Sequence, residues 1–398
     1  MLLPSDPARA FLPYPAIAVP GSSGGELAGL TFAVKDLFDV AGYPTGGGSP
    51  HMLAMSGIKR ANAPAVQRLL DEGARFVGKT HTDELAFSLN GRNAHFGTPV
   101  NGGAPDRIPG GSSSGSASAV SNGLCDVALG TDTGGSVRGP ASHCGLFGIR
   151  PTHGRVSLEG ALDLSPSLDT CGFFARDPAI FGRVATVLLG PDPEPLPDHV
   201  RPLLAADTFA MLSTAARAAL APVVAAIEGV LGEATLVEAA NGGFEPLYWA
   251  FRRIQGREAW ETDGPMIERF APPLGPGVAE RFAFSQDVSD QDVRDAGTCR
   301  REFRGRLDGI LGRDGVMILP TMPDIAPLLT DDEASLGAYR EQAVNLLCLA
   351  GLAGCPQISM PFSSRLDAPF GISILGPRGS DLSLVGLAVR LADTMAEP

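Results

Sequence analysis

The sequence predicts an α/β fold, and three observations carry that expectation. Apolar strand-like runs alternate with amphipathic helical ones from residue 30 onward, which argues for helices packed on a sheet. The 398 residues are 44% hydrophobic, enough for a large buried core. The 50 glycines and 34 prolines are spread along the chain, so they read as ordered turns and not as low-complexity tracts.

Leu30–Val34 (LTFAV) is a short run with β-branched and aromatic members, a strand. Pro64 opens a helix in which Val66, Leu69 and Leu70 share a face and Gly73 ends the run. Arg75–Gly78 returns as a strand, and Thr82 begins a short helix through Leu89. The small-residue run 113–122 reads as a tightly packed helix. Asp126–Gly130 and Leu146–Ile149 read as buried strands. Helices are expected over 177–189, 213–231, 244–260 and 288–312. Strands are expected near 315–319, 355–360 and 370–376, with a last helix over 381–395. Pro191–Pro202 is a Pro-rich connection, and no internal repeat is visible.

Net charge is −13 and no Lys/Arg run exists to neutralise phosphates, so a nucleic-acid partner is not expected. The six cysteines form no CxxC pair and have no metal-like spacing with histidine; reduced thiols and no metal are expected. No stretch reads as 18 apolar residues and no signal peptide is visible, so the expectation is a cytoplasmic protein without a membrane partner.

Two Gly/Ser clusters stand out, residues 110–117 (GGSSSGSA) and 130–138 (GTDTGGSVR). A phosphate cradle would need GxxxxGK[ST], and neither cluster has it. A purely structural role, with small residues allowing close backbone approach, stays open for either cluster alone. An acyl-transfer site is the third reading. In Thr133-Gly134-Gly135-Ser136, backbone N–H groups can converge beside the Ser136 hydroxyl to receive an oxyanion.

Such a hydroxyl needs a base. None of the six histidines sits in a singling context, though a His paired with Asp132 or Asp163 stays open. The chain has only three lysines, at 35, 59 and 79. Lys35 ends the apolar strand, where desolvation lowers an amine's pKa by up to about 3–5 units. A neutral lysine accepts a proton and an arginine does not. Asp36 is adjacent, but neighbours on a strand point to opposite faces. Lys59 reads as a solvated surface charge, and Lys79 as structural or functional alike.

These segments resemble the signature of the amidase signature family. The resemblance extends through AVKD at 33–36, TDELA at 82–86, NAHFGTPVN at 93–101, LPTMP at 319–323 and AGLAGCPQISMP at 350–361, and so covers nearly the whole chain. It implies one α/β domain with a central mixed, twisted sheet wrapped by helices. The signature core would lie at about 30–180, a variable pocket part at 200–312 and a closing sheet-and-helix part at 313–398.

It implies Ser136 as nucleophile, Ser112 as bridging serine after a cis peptide, and Lys35 as base. Backbone groups of Thr133, Gly134, Gly135 and Ser136 would form the oxyanion hole. Ser113, Thr131, Asp132 and Arg138 would support it. Ser113 would orient the relay, and Arg138 would order the loop or meet a substrate carboxylate. No cofactor is implied. The partner implied is a small amide, and a homodimer is expected by analogy alone. The chain is similar to the compact branch that includes indole-3-acetamide hydrolases, except that Arg92 stands where an acidic residue is usual. Phe87, Phe251, Ile254 and Trp260 are the candidate pocket walls and suggest an apolar or aryl acyl group. Two other readings stand beside this one. One is the amidase subunit of a tRNA-dependent amidotransferase, the other a homologue that binds without catalysis.

Overall fold

The structure is a computed structural model that describes residues 2–3 and 5–396. Its strands are β1 Thr31–Lys35, β2 Arg75–Thr80, β3 Val127–Thr131, β4 Phe147–Arg150, β5 Cys171–Ala175, β6 Arg201–Ala205, β7 Thr235–Val237, β8 Gly315–Pro320, β9 Gln357–Arg365 and β10 Ala368–Leu375. They form one sheet in the order β2-β1-β3-β5-β4-β9-β10-β8-β6-β7. The pairs at both ends, β2-β1-β3 and β8-β6-β7, are parallel, and those between are antiparallel. This is the mixed sheet the resemblance implied. It runs without a break through all three expected parts of the chain.

The expected strands at 30–34, 75–78, 126–130, 146–149, 315–319, 355–360 and 370–376 all form, within a few residues. β5, β6 and β7 escape a pattern reading. The sheet is fully covered in its centre: β3, β4, β5 and β8 are buried at every position. Strands buried on both faces lose the polar alternation that marks them in sequence. The helix Glu333–Ala353 was also not expected. It buries twelve residues, including the unbroken run Leu346–Ala353, and so lacks a polar stripe.

Two expectations need correction. Thr82–Leu89 is not a helix beyond a 3-10 turn at Glu84–Ala86, because Leu85 (φ 50°) and Ala86 (φ 57°) sit in the left-handed region. Tertiary contacts hold them there: Leu85 N–H donates to Gly47 O and Asp83 N–H to Ser112 O. The second concerns apolar length. Helix Thr214–Leu231, 18 residues at mean hydropathy 1.5, is long and apolar enough to cross a membrane on length and composition. Its Ala216, Leu220, Val223 and Ile227 are buried, at a spacing that puts them on one face.

The parallel end positions the chemistry. β1 lies between β2 and β3, with Lys35 level with Thr80 and Val34 with Leu129. The carboxyl ends of β1 and β3 therefore meet. The loop after β3 and the segment before the helix Ser114–Ser121 converge there.

Candidate active site

Lys35 closes β1 and is completely buried. Its Nζ lies 2.7 Å from Ser112 Oγ and 2.7 Å from Thr131 Oγ1, and among the described residues no carboxylate pairs with it. Burial lowers its pKa to about 7, against the pull of Asp83, Asp169 and Asp132. Asp36 points to the other face, as strand alternation requires. There it pairs with Lys79 at 2.8 Å. Lys79 is thus structural. Lys59, read as a solvated surface charge, is 26% exposed and pairs with Asp39 at 3.3 Å.

The Gly111–Ser112 peptide is cis. Ser112 presents its hydroxyl to Lys35, and the next residue anchors the turn: Ser113 N–H donates to Ser136 O at 3.3 Å. The Ser113 hydroxyl was expected to orient the relay. It donates instead to Thr131 O at 3.2 Å, tying this turn to β3. Thr131 is the supporting hydroxyl that touches Lys35 directly.

One carboxylate shapes the loop that carries Ser136. Asp132 Oδ1 accepts from Gly135 N–H (2.9 Å), Arg138 Nη2 (2.8 Å) and Arg150 Nη1 (3.1 Å). Its Oδ2 accepts from Val137 N–H, Arg138 N–H and Arg138 Nε. Burial would raise this carboxyl, but the two guanidinium groups and the N–H donors hold it well below the usual carboxylate range. Arg138 Nη1 donates to Leu347 O and Gln357 Oε1, and the side chain is fully buried, so it orders the loop and is closed to substrate.

The same bonding corrects the oxyanion assignment. Gly135 N–H is taken by Asp132 and is not available. Thr133, Gly134 and Ser136 have N–H groups without an acceptor among the described residues. Gly134 must lack a side chain, because a Cβ there would come within 2.5 Å of the Phe251 ring. The Thr133 hydroxyl donates to Asp169.

Ser136 lines a narrow cavity with Phe87, Leu89, Gly134, Phe251, Gln255, Arg340 and Val344 among its walls. Its hydroxyl has no hydrogen-bond partner among the described residues. Two of the four expected wall residues are there, Phe87 and Phe251. Ile254 faces a separate cleft with Arg257, Glu258 and Arg300. Trp260 packs with the Leu85, Phe87 and Phe282 cluster from outside. The helix Phe244–Phe270 explains this: at about 100° per residue, Gln255 stays near Phe251, Ile254 falls about 100° from Gln255, and Trp260 reaches the far side. Gln255, Arg340 and Val344 were missed. Gln255 lay one turn beyond Phe251 and was legible; the other two sit on the unexpected helix.

No histidine serves the site. His143 bonds to Tyr339, His95 to Glu84 and His153 to Pro166 O. Burial lowers His81 to about 4 and, with Arg107, His143 to about 3. Asp132 is committed to two arginines, and among the described residues the one histidine paired with a carboxylate is His95, on Glu84, so neither Asp132 nor Asp163 forms the His–Asp alternative. Among the described residues no group of three His, Cys, Asp or Glu is placed to hold a metal. Arg92 donates to the carbonyls of Leu329 and Asp331, fixing that loop at the outer rim.

A buried lysine on the Ser112 hydroxyl, a second serine on a cavity wall and unpartnered N–H groups together make a site suited to nucleophilic acyl transfer. The chain belongs to the amidase family: residues 14–220, more than half of it, match the family described as Amidase. It is 38% identical to Amidase 1 of Arabidopsis thaliana, over 94% of each chain. It is 32% identical to the chloroplastic Outer envelope protein 64 of the same plant, over 100% of this chain and 70% of that one. A solved amidase structure superposes with a TM-score of 0.83 at 31% identity, covering 93% of this chain and 85% of that chain.

Proposed function

We propose that this protein hydrolyses the C–N bond of a small amide with an aryl or otherwise largely apolar acyl part, through an acyl-enzyme on Ser136. The reading is supported above all by the Lys35–Ser112 contact, 2.7 Å long, fully buried and free of any paired carboxylate. A lysine so placed is neutral for much of the time near pH 7 and can accept a proton.

In this mechanism Lys35 takes the Ser112 proton, Ser112 takes the Ser136 proton, and Ser136 Oγ attacks the amide carbon. N–H groups of Thr133, Gly134 and Ser136 stabilise the oxyanion. The C–N bond breaks as the relay returns a proton to the leaving nitrogen. Water then repeats the route on the ester and releases the acid. Ser136 must turn its hydroxyl toward Ser112 for this, and catalytic hydrogen bonds often close only when substrate binds. Carbamates and esters present the same carbonyl chemistry and are expected side substrates. A relative carries the name of an envelope protein, but the assembled lysine–serine contact favours catalysis over a purely binding role.

A panel of aryl and alkyl amides tests the proposal. Turnover in Ser136→Ala falls by about 10⁴-fold or more, and mass spectrometry of wild type with a slow substrate finds the acyl group on Ser136. Retained turnover in Ser136→Ala ends this reading.

A further inference from the structure

The Ser136 cavity has one charged wall. Arg340 is 7% exposed, yet it forms no ion pair and no side-chain hydrogen bond among the described residues. Its Nε is buried without an acceptor. The two fully buried arginines elsewhere, Arg138 and Arg150, both share Asp132. Arg340 departs from that pattern at the one place where a ligand must enter.

A second orphan stands beside it. Gln255 Oε1 is buried without a donor and lines the same cavity. Its carboxamide can present either its oxygen or its NH₂. Among the described residues no carboxylate lines this cavity. Arg340 also reaches the adjoining outer cleft, where Glu280, Glu333 and Glu341 lie. Glu280 accepts from Gly277 N–H, Glu333 pairs with Arg92 at 3.5 Å, and Glu341 pairs with no cation among the described residues. The charges that act on it most strongly are like charges. Arg252 donates to the Tyr248 hydroxyl and Arg281 to Phe87 O. Burial, with Arg281 and Arg252 adding repulsion against a weaker pull from Tyr248 and Glu341, presses the Arg340 guanidinium well below its usual range. A buried cation without a partner is costly, and a bound anion relieves that cost.

We propose that the amide cleaved here carries a carboxylate, which Arg340 holds on the wall of the Ser136 cavity with the Gln255 carboxamide beside it. This rests on the amidase reading and specifies its substrate: an apolar body against Phe87 and Phe251, with one anionic end. Two sources share that chemistry. The carboxylate belongs to the acyl part in a monoamide of a dicarboxylic acid, or to the amine part in an N-acyl amino acid.

The test compares kcat/KM for matched amides. Carbamoylbenzoates and aliphatic monoamides are set against neutral isosteres bearing a nitro group. N-acyl amino acids are set against N-acyl amines. Wild type favours the carboxylated member of one series by about tenfold or more, chiefly through KM, as expected when a buried donor set loses its ligand. Arg340→Met brings that ratio to about one, while Arg313→Gln, an exposed charge control, leaves it unchanged. A wild-type ratio near one, or a ratio unchanged in Arg340→Met, overturns the proposal. Calorimetry on Ser136→Ala supplies a readout that needs no turnover: the carboxylated product binds, and adding Arg340→Met abolishes binding. Binding through Arg340 in a wild type that cleaves no amide keeps the anion site and sinks the amidase reading. Cleavage without preference does the reverse. If Arg340→Met does not fold, the wild-type ratio still decides.

Discussion

Lys35 and Lys79 lie on neighbouring strands of one sheet, both buried, one on each face. Lys79 meets Asp36 at 2.8 Å and donates as well to Phe38 O, Pro44 O and Thr45 Oγ1. Asp36 in turn accepts from Tyr14 and Gly46. Lys35 meets two hydroxyls and nothing anionic. Burial lowers both amines, and Asp36 opposes that for Lys79 at contact range. Burial alone therefore does not make a base. The partner does, because a carboxylate holds the proton on and a hydroxyl lets it leave.

The largest break in this symmetry is expected from exchanging either lysine for methionine. Lys35→Met loses roughly 10²–10⁴-fold in kcat, yet its urea midpoint stays level or rises, since no buried counter-charge is stranded. Lys79→Met strands Asp36 and loses about 3–5 kcal/mol of stability. Adding Asp36→Asn recovers part of it, as a double-mutant cycle in denaturant reads. An equal stability loss in the two single variants would erase the distinction drawn here.

A smaller effect comes with pH. Lys35 has a folded pKa near 7, below the 10.5 of a free lysine. kcat/KM therefore rises through about pH 7 as the amine loses its proton, and Lys35→Arg shows no such limb up to pH 10. Stability follows the same sign. Between pH 7 and about 10.5 the unfolded chain binds the extra proton, so wild type gains stability relative to Lys35→Met as pH rises across that window. A flat difference curve would place the proton elsewhere.

The faces of β1 were legible because alternation separates Lys35 from Asp36 whatever surrounds them. The Gly/Ser clusters stood out because glycine beside serine permits a tight turn with open N–H groups, while a structural role stayed open for either cluster alone. The pocket was harder. Ile254 and Trp260 share composition with Phe251 but not its azimuth, and only the phase of one helix against the sheet decides which of them meets Ser136. Arg340 was invisible for a different reason. Its helix is buried so completely toward its end that periodicity fails, and an arginine at its polar start reads as solvent-facing. The turn at Leu85 and Ala86 was misread because two left-handed residues carry no local signature there.

The loop and strand groups that would open a bond all come from residues 35–136. Four of the walls that would choose the molecule, Phe251, Gln255, Arg340 and Val344, come from two long helices more than a hundred residues downstream. Phe87 and Leu89 apart, recognition is thus inherited on a different stretch of the gene from reactivity. A lineage that redraws those four positions changes its diet while its toolkit stays intact, and a small combinatorial library at the same four sites is a compact way to retrain the enzyme.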